Sequence, residues 1–111
     1  MKILEKNQNE DTDICPITIF MEKIGGKWKP AIIWLLLKNG TMRFNELEKS
    51  INGITQKMLS QQLKSLETEN IINRTSYPVV PPKVEYTLTK KGQSLFQMLQ
   101  GIMEWSKTNL K

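Results

Sequence analysis

Residues Gly53 to Asn70 read GITQKMLSQQLKSLETEN. With successive residues set about 100° apart, as on a helix, Met58, Leu59, Leu63 and Leu66 gather on one side, with Gln62 inside their arc. Lys57, Ser60, Gln61, Lys64 and Thr68 gather on the other. The first side can bury against a core. The second holds two cations, two hydroxyls and an amide and no carboxylate; Glu67 lies at its edge and Glu69 points away. Thr55 stands where an N-cap belongs, and its hydroxyl can satisfy an early backbone N–H. Lys, Gln and Ser side chains on one outer face suit base-pair edges and the phosphates beside them. A solvated basic face has the same composition, so what surrounds this helix has to decide.

Immediately upstream, Asn45 to Ile51 predicts a short helix with Asn45 as its cap and Leu47 and Ile51 turned inward. Asn52-Gly53 is a turn. Two helices joined by a tight glycine-containing turn form a helix-turn-helix, in which the second helix reads. Immediately downstream, Ile71 to Tyr77 predicts a strand. Pro78-Val79-Val80-Pro81-Pro82 cannot continue a ladder, because its three prolines lack an N–H. Val84 to Leu88 alternates apolar and polar residues and predicts a second strand. A strand, a loop and a strand after a helix-turn-helix make a wing. Arg74 and Lys83 are expected to flank its tip, in reach of a phosphate or the minor groove.

Farther out, Pro16 suits the first turn of a helix carrying Ile17, Phe20, Met21 and Ile24 and ended by Gly25-Gly26. Lys27-Trp28-Lys29-Pro30 opens another, whose segment Ala31 to Leu37 is apolar on almost every side and belongs at the centre of a domain. Lys38-Asn39-Gly40 stops it, and Thr41 to Phe44 is a short extended piece. Thr89 caps one last helix bearing Leu95, Phe96, Leu99, Ile102, Met103, Trp105 and Leu110. That is more apolar surface than a domain of this size covers, which points to an oligomer interface or, in the plainer reading, to packing on its own domain. Trp28, Phe44, Leu47, Met58 and Leu59 read as core, and Tyr77 and Tyr86 as supports of the wing.

The 111 residues suit one domain, over 13–111, after a polar arm over 1–12. The formal charge of +5 favours a polyanionic partner. The chain has no histidine, the commonest general base and metal ligand, and a single cysteine, so neither an internal disulfide nor a Cys-rich zinc site can form. No signal peptide and no run near the ~20 apolar residues of a membrane span is present. The expectation is a cytoplasmic protein away from membranes, without cofactor and without enzymatic activity.

Five blocks, in order, resemble the HxlR-type family of winged helix-turn-helix transcriptional regulators, small MarR-like proteins of bacteria and archaea. They are Cys15-Pro16, Ile24 to Trp28, Arg43 to Leu47, Gly53 to Leu59 with Gln62-Leu63, and Tyr77 to Thr89. The fold implied is mainly α with a small β wing (α+β), ending in a long C-terminal dimerisation helix. The resemblance implies a homodimer through the terminal helices, with Ile17, Phe20, Leu95, Phe96, Leu99, Ile102, Met103 and Trp105 at the interface. It implies double-stranded DNA as partner and an operator of two-fold symmetry, with half-sites about one helical turn, ~10 base pairs, apart or at a multiple of it. The reading positions carried over are Thr55, Gln56, Lys57, Ser60, Gln61 and Lys64, with Arg43 as a phosphate contact or a solvated side chain. Repression is the expected sign of regulation. The alternative is a winged-helix interaction module that does not read DNA.

Several members of this family sense thiol stress or reactive carbonyls through a cysteine in a Cys-Pro setting, and Cys15 matches it. A helix N-terminus favours the thiolate, the reactive species. Two readings stand: a sensor thiol answering a small electrophile or oxidant, or a small buried apolar residue. With one cysteine per chain, any disulfide joins two chains or a small thiol.

Overall fold

In the computed structural model, which describes residues 15–110, Pro16 opens α1 (Pro16–Lys23) as expected. The arm foreseen over 1–12, with Asp13 and Ile14 after it, lies outside the described residues. Lys29 Nζ donates to the Lys23 carbonyl at 3.0 Å, satisfying an acceptor at the end of that helix. Next come α2 (Lys29–Asn39), β1 (Met42–Arg43), α3 (Phe44–Ser50) and α4 (Gln56–Thr68). The wing strands are β2 (Ile72–Tyr77) and β3 (Lys83–Leu88). The chain closes with α5 (Lys90–Gln93) and α6 (Phe96–Asn109).

The core forms where the apolar faces of these elements meet. Ile32, Ile33 and Leu36 of α2, Leu47 of α3, and Leu59, Leu63 and Leu66 of α4 are all buried, together with Ile71, Ile72, Tyr86 and Leu88. The i, i+4, i+7 spacing on α4 thus does what its periodicity requires. The centre of α2 is less enclosed than a helix apolar all round suggests: Trp34, Leu35 and Leu37 are only half-buried. Trp28, Phe44 and Met58 pack at the margin of the core, as expected.

Two local signals hold closely. The Met58 N–H donates to Thr55 Oγ1 at 3.0 Å, and the Gly92 N–H donates to Thr89 Oγ1 at 3.0 Å, so both threonines cap. Gly53 has φ +86°, a conformation that side chains disfavour, and this lets the chain turn sharply from α3 into α4. The C-terminus of α4 closes just as tightly. Asn70 has φ 61°, the Ile71 N–H donates to the Leu66 carbonyl at 2.9 Å, and the Asn70 N–H donates to that of Glu67 at 3.0 Å.

Three expectations need correction. Asn45 lies inside α3 rather than at its cap. The cap is Arg43, two residues earlier, because Glu46 Oε1 accepts the Arg43 N–H at 2.8 Å, and an acceptor reaching back from the third helical residue caps as well as an Asn. The last helix is two helices, broken at Ser94-Leu95, where the Leu95 N–H turns back to the Gly92 carbonyl at 3.1 Å. The wing is part of a three-stranded antiparallel sheet in the order β1-β3-β2, since Met42 and Arg43 pair with Tyr86 and Glu85.

Candidate nucleic-acid interface

Buried leucines on α4 dictate what its other side presents. With Leu59, Leu63 and Leu66 held between α2 and β2, the helix can turn only one face outward, and Thr55, Gln56, Lys57, Ser60, Gln61 and Lys64 are all exposed on it. Among the described residues no carboxylate forms an ion pair with Lys57 or Lys64, so both charges are available to a polyanion. Lys91 Nζ donates to the Glu69 carbonyl at 3.0 Å and Lys23 Nζ lies 3.7 Å from a Glu69 carboxylate oxygen. These cations serve the C-terminal end of α4, away from the reading positions. Arg43, the last residue of β1 and the N-cap of α3, is exposed.

The sheet register relocates Arg74. Tyr77 faces Lys83 at the mouth of the hairpin, whereas Arg74 faces Tyr86, three residues back along β2. Arg74 therefore does not flank the wing tip. It lines a recess of about 280 Å³ against α4 with Ser60, Leu63, Lys64, Glu67 and Tyr86. Lys83 is at the tip as expected but already engaged: its Nζ is 3.3 Å from Glu85 Oε2 and 4.7 Å from the centroid of the Tyr77 ring. Among the described residues the wing cation without an ion pair is thus Arg74, and it stands beside α4. Its proximity to Ser60 and Lys64 carries no signal in sequence periodicity, because it depends on the pairing of β2 with β3 and the seating of α4 on β2. The tip itself is apolar, with Val80 99% exposed.

This geometry sets apart two basic residues that look alike in sequence. Arg74→Ala is expected to flatten the dependence of log affinity on log salt by about one per subunit, the signature of one lost phosphate contact. Lys83→Ala is expected to change the slope little, because its charge is shared with Glu85. Titration of a labelled duplex at four salt concentrations measures both slopes. Equal slopes for the two variants would contradict the assignment.

At the two ends of the chain the apolar side chains divide. Ile17, Phe96, Ile102 and Trp105 are exposed, the last two at 52% and 59%, and Phe20, Leu95 and Met103 are half-buried. Leu99, expected at an interface, is 7% exposed and belongs to the core of its own domain. Ile19 and Met98, which the sequence reading passed over, are exposed among the others. Cys15 is half-buried at the N-terminus of α1, with its thiol free.

A sequence model of the HxlR-like helix-turn-helix family matches residues 23–111. An uncharacterised HTH-type transcriptional regulator of Methanothermobacter thermautotrophicus is 43% identical over 101 residues, covering 91% of this chain and 76% of that protein. The redox regulator HypR in its oxidised form superposes with a TM-score of 0.81 at 40% identity, over 87% of this chain and 99% of that one. The transcriptional regulator YodB of B. subtilis in its reduced form gives a TM-score of 0.75 at 36% identity, over 88% and 96%.

Proposed function

The chain belongs to the HxlR-like helix-turn-helix family and is a DNA-binding transcriptional regulator; from that premise we propose that it acts as a cytoplasmic homodimer reading an operator of two-fold symmetry. The observation that carries this reading is the outer face of α4, where Thr55, Gln56, Lys57, Ser60, Gln61 and Lys64 are exposed together with no carboxylate paired to them among the described residues. Lysines capture the duplex electrostatically, Arg43 and Arg74 hold the phosphates, and Gln56, Lys57, Ser60 and Gln61 meet base edges in the major groove. Two copies pair through α1 and α6, which bring two α4 helices to half-sites one helical turn, or a whole number of turns, apart. Occupation of a promoter makes the protein a repressor.

The proposal extends to Cys15. HypR is described as a redox regulator, and Cys15 sits at a helix N-terminus on the element assigned to the dimer seam. Oxidation or attack by a small electrophile there would add bulk under α1, alter its packing and shift the population of dimers that fit the operator.

The experiment is binding of the reduced protein to labelled duplex from upstream of its own gene and to a scrambled duplex, across a salt series. Preference for the native duplex, with affinity falling as salt rises, supports the reading. Diamide is expected to abolish that preference in the parent protein and not in Cys15→Ser. Exchange of both Ile102 and Trp105 for Lys is expected to give a monomer in sedimentation and to weaken operator binding. Absence of binding at low salt would favour an interaction module instead.

A further inference from the structure

The chain holds two Asn-Gly pairs, Asn39-Gly40 and Asn52-Gly53, and the structure treats them differently. Glycine, without a side chain, leaves its backbone nitrogen open to the asparagine before it, so in such pairs the asparagine side chain closes most readily on its own main chain. At Asn39-Gly40 every group concerned is held. The Gly40 N–H donates to the Leu36 carbonyl at 2.9 Å, ending α2. Asn39 Nδ2 donates to Met42 Sδ at 3.5 Å, and the Asn39 carbonyl accepts the Thr41 N–H at 3.1 Å. At Asn52-Gly53 both residues are exposed, and neither the Asn52 side chain nor the Gly53 N–H has a hydrogen-bond partner among the described residues. A single long bond closes this turn, from the Ile54 N–H to the Ile51 carbonyl at 3.4 Å. The turn can therefore open toward ring closure at little cost, whereas the end of α2 cannot.

We propose that Asn52 is a self-modifying site, converted without an enzyme to aspartate and isoaspartate, and that the conversion retires the reading helix from DNA. The Gly53 amide nitrogen, giving up its proton to base, attacks the Asn52 side-chain carbonyl carbon. The N–Cγ bond forms, the Cγ–Nδ2 bond breaks, and ammonia leaves with a proton returned from solvent. Water then opens the cyclic imide at one of its two carbonyls. Cleavage of the N–Cγ bond restores the original main chain with aspartate; cleavage of the N–C bond leaves isoaspartate, with the chain routed through Cβ and Cγ. Nothing is oxidised or reduced, and water is the sole co-reactant.

The place of the turn decides what the conversion does. Ile51 and Ile54, on either side of the pair, are 7% and 8% exposed and fix its ends in the core. Trp28 lies beneath, with Cη2 4.0 Å from where a Cβ on Gly53 would stand. Isoaspartate adds one main-chain atom between these anchors, and the turn must bulge or α3 must shift against α4. Either product also puts a carboxylate three residues before Thr55, in the turn that leads into a reading face carrying none, where it repels phosphate. This functional half of the inference rests on the DNA reading above; the chemical half does not.

The test incubates the folded full chain at mildly alkaline pH, with its thiol kept reduced, and digests it with trypsin. The two pairs fall on separate peptides, Asn39 to Arg43 and Ser50 to Lys57. Mass spectrometry is expected to find deamidation largely confined to the second peptide, and faster as pH rises because the attacking nitrogen must lose its proton. Isoaspartyl methyltransferase should label that peptide. Operator affinity of the incubated parent is expected to fall about fivefold or more at fixed salt, in step with the conversion. Asn52→Gln, whose longer side chain would have to close a larger ring, should bind like the fresh parent and hold its affinity through the incubation. No conversion at Asn52, or conversion at Asn39 just as fast, would overturn the chemical half. A converted parent that keeps its affinity, or loses it no faster than Asn52→Gln, would refute the functional half. A fresh protein that binds no duplex would remove the operator reading and the functional half with it, and leave the chemical half to the peptide result.

Discussion

Replacing Lys57 and Gln61 together by alanine is expected to weaken operator binding by on the order of 100-fold or more while leaving the fold intact. Each side chain is exposed on α4 and neither has an intramolecular partner among the described residues. Loss of stability should therefore stay within about 0.5 kcal/mol. The cost falls on the complex. A base contact contributes about 1–3 kcal/mol of discrimination, and a lysine that meets a phosphate adds a salt-dependent share. In a two-fold dimer both half-sites lose their contacts, so the effect is counted twice. Duplex titration at fixed salt, with thermal unfolding as control, separates the two outcomes. A variant that unfolds as the parent does and still binds the operator with parental affinity would remove α4 from readout. The two substitutions should differ singly. Gln61→Ala should relax sequence preference at one position, whereas Lys57→Ala should also lower the salt slope.

Gly92→Ala is expected to cost about 3 kcal/mol of stability, near the top of the range for forcing atoms into a packed site. A Cβ at Gly92 meets the backbone carbonyl oxygen of Ile71 in steric overlap and lies 2.9 Å from Leu88 Cδ2. The carbonyl cannot retreat freely, because it also accepts the Thr89 N–H at 3.0 Å. Moving it would break the junction where β2 begins and where α5 is capped. For a domain of this size the loss corresponds to a fall in Tm of about 10–20 °C. Gly101→Ala is the matching control with the opposite sign. A Cβ at Gly101 meets nothing within 4 Å, and the position is an exposed interior turn of α6. There alanine should add up to about 1 kcal/mol through helix propensity. A Gly92→Ala protein as stable as its parent would show that α5 does not approach β2 as described. Because α6 follows α5, the substitution should also disturb whatever α6 docks against.

Much of this was legible one element at a time. The face division of α4, its Thr55 cap, the turn at Gly53 and the Thr89 cap all arise from side chains acting within four residues of themselves. Periodicity and capping chemistry report such relations directly. The wing was readable because prolines deny a ladder to residues 78–82 and alternation marks the strand after them. The reading failed where two signals of similar strength competed, as when Glu46 rather than Asn45 supplied the acceptor at the start of α3.

The sequence by itself determined the order of elements, the helix that presents a cationic, carboxylate-free face, and the absence of any histidine for other chemistry. These follow from local backbone and side-chain preferences and from composition. Tertiary structure alone decided that Arg74 stands beside Ser60 and Lys64, through the pairing of β2 with β3 and the seating of α4 on β2, whereas Lys83 meets Glu85 two residues along its own strand. It also decided that Leu99 is core while Ile102 and Trp105 face outward, and that a break at Ser94-Leu95 opens a cleft under Phe96. The placements of Arg74 against α4, of Leu99 in the core and of Phe96 over α2 depend on residues ten or more positions apart meeting in space, and the helical and strand periods that organise a sequence contain no term for such meetings.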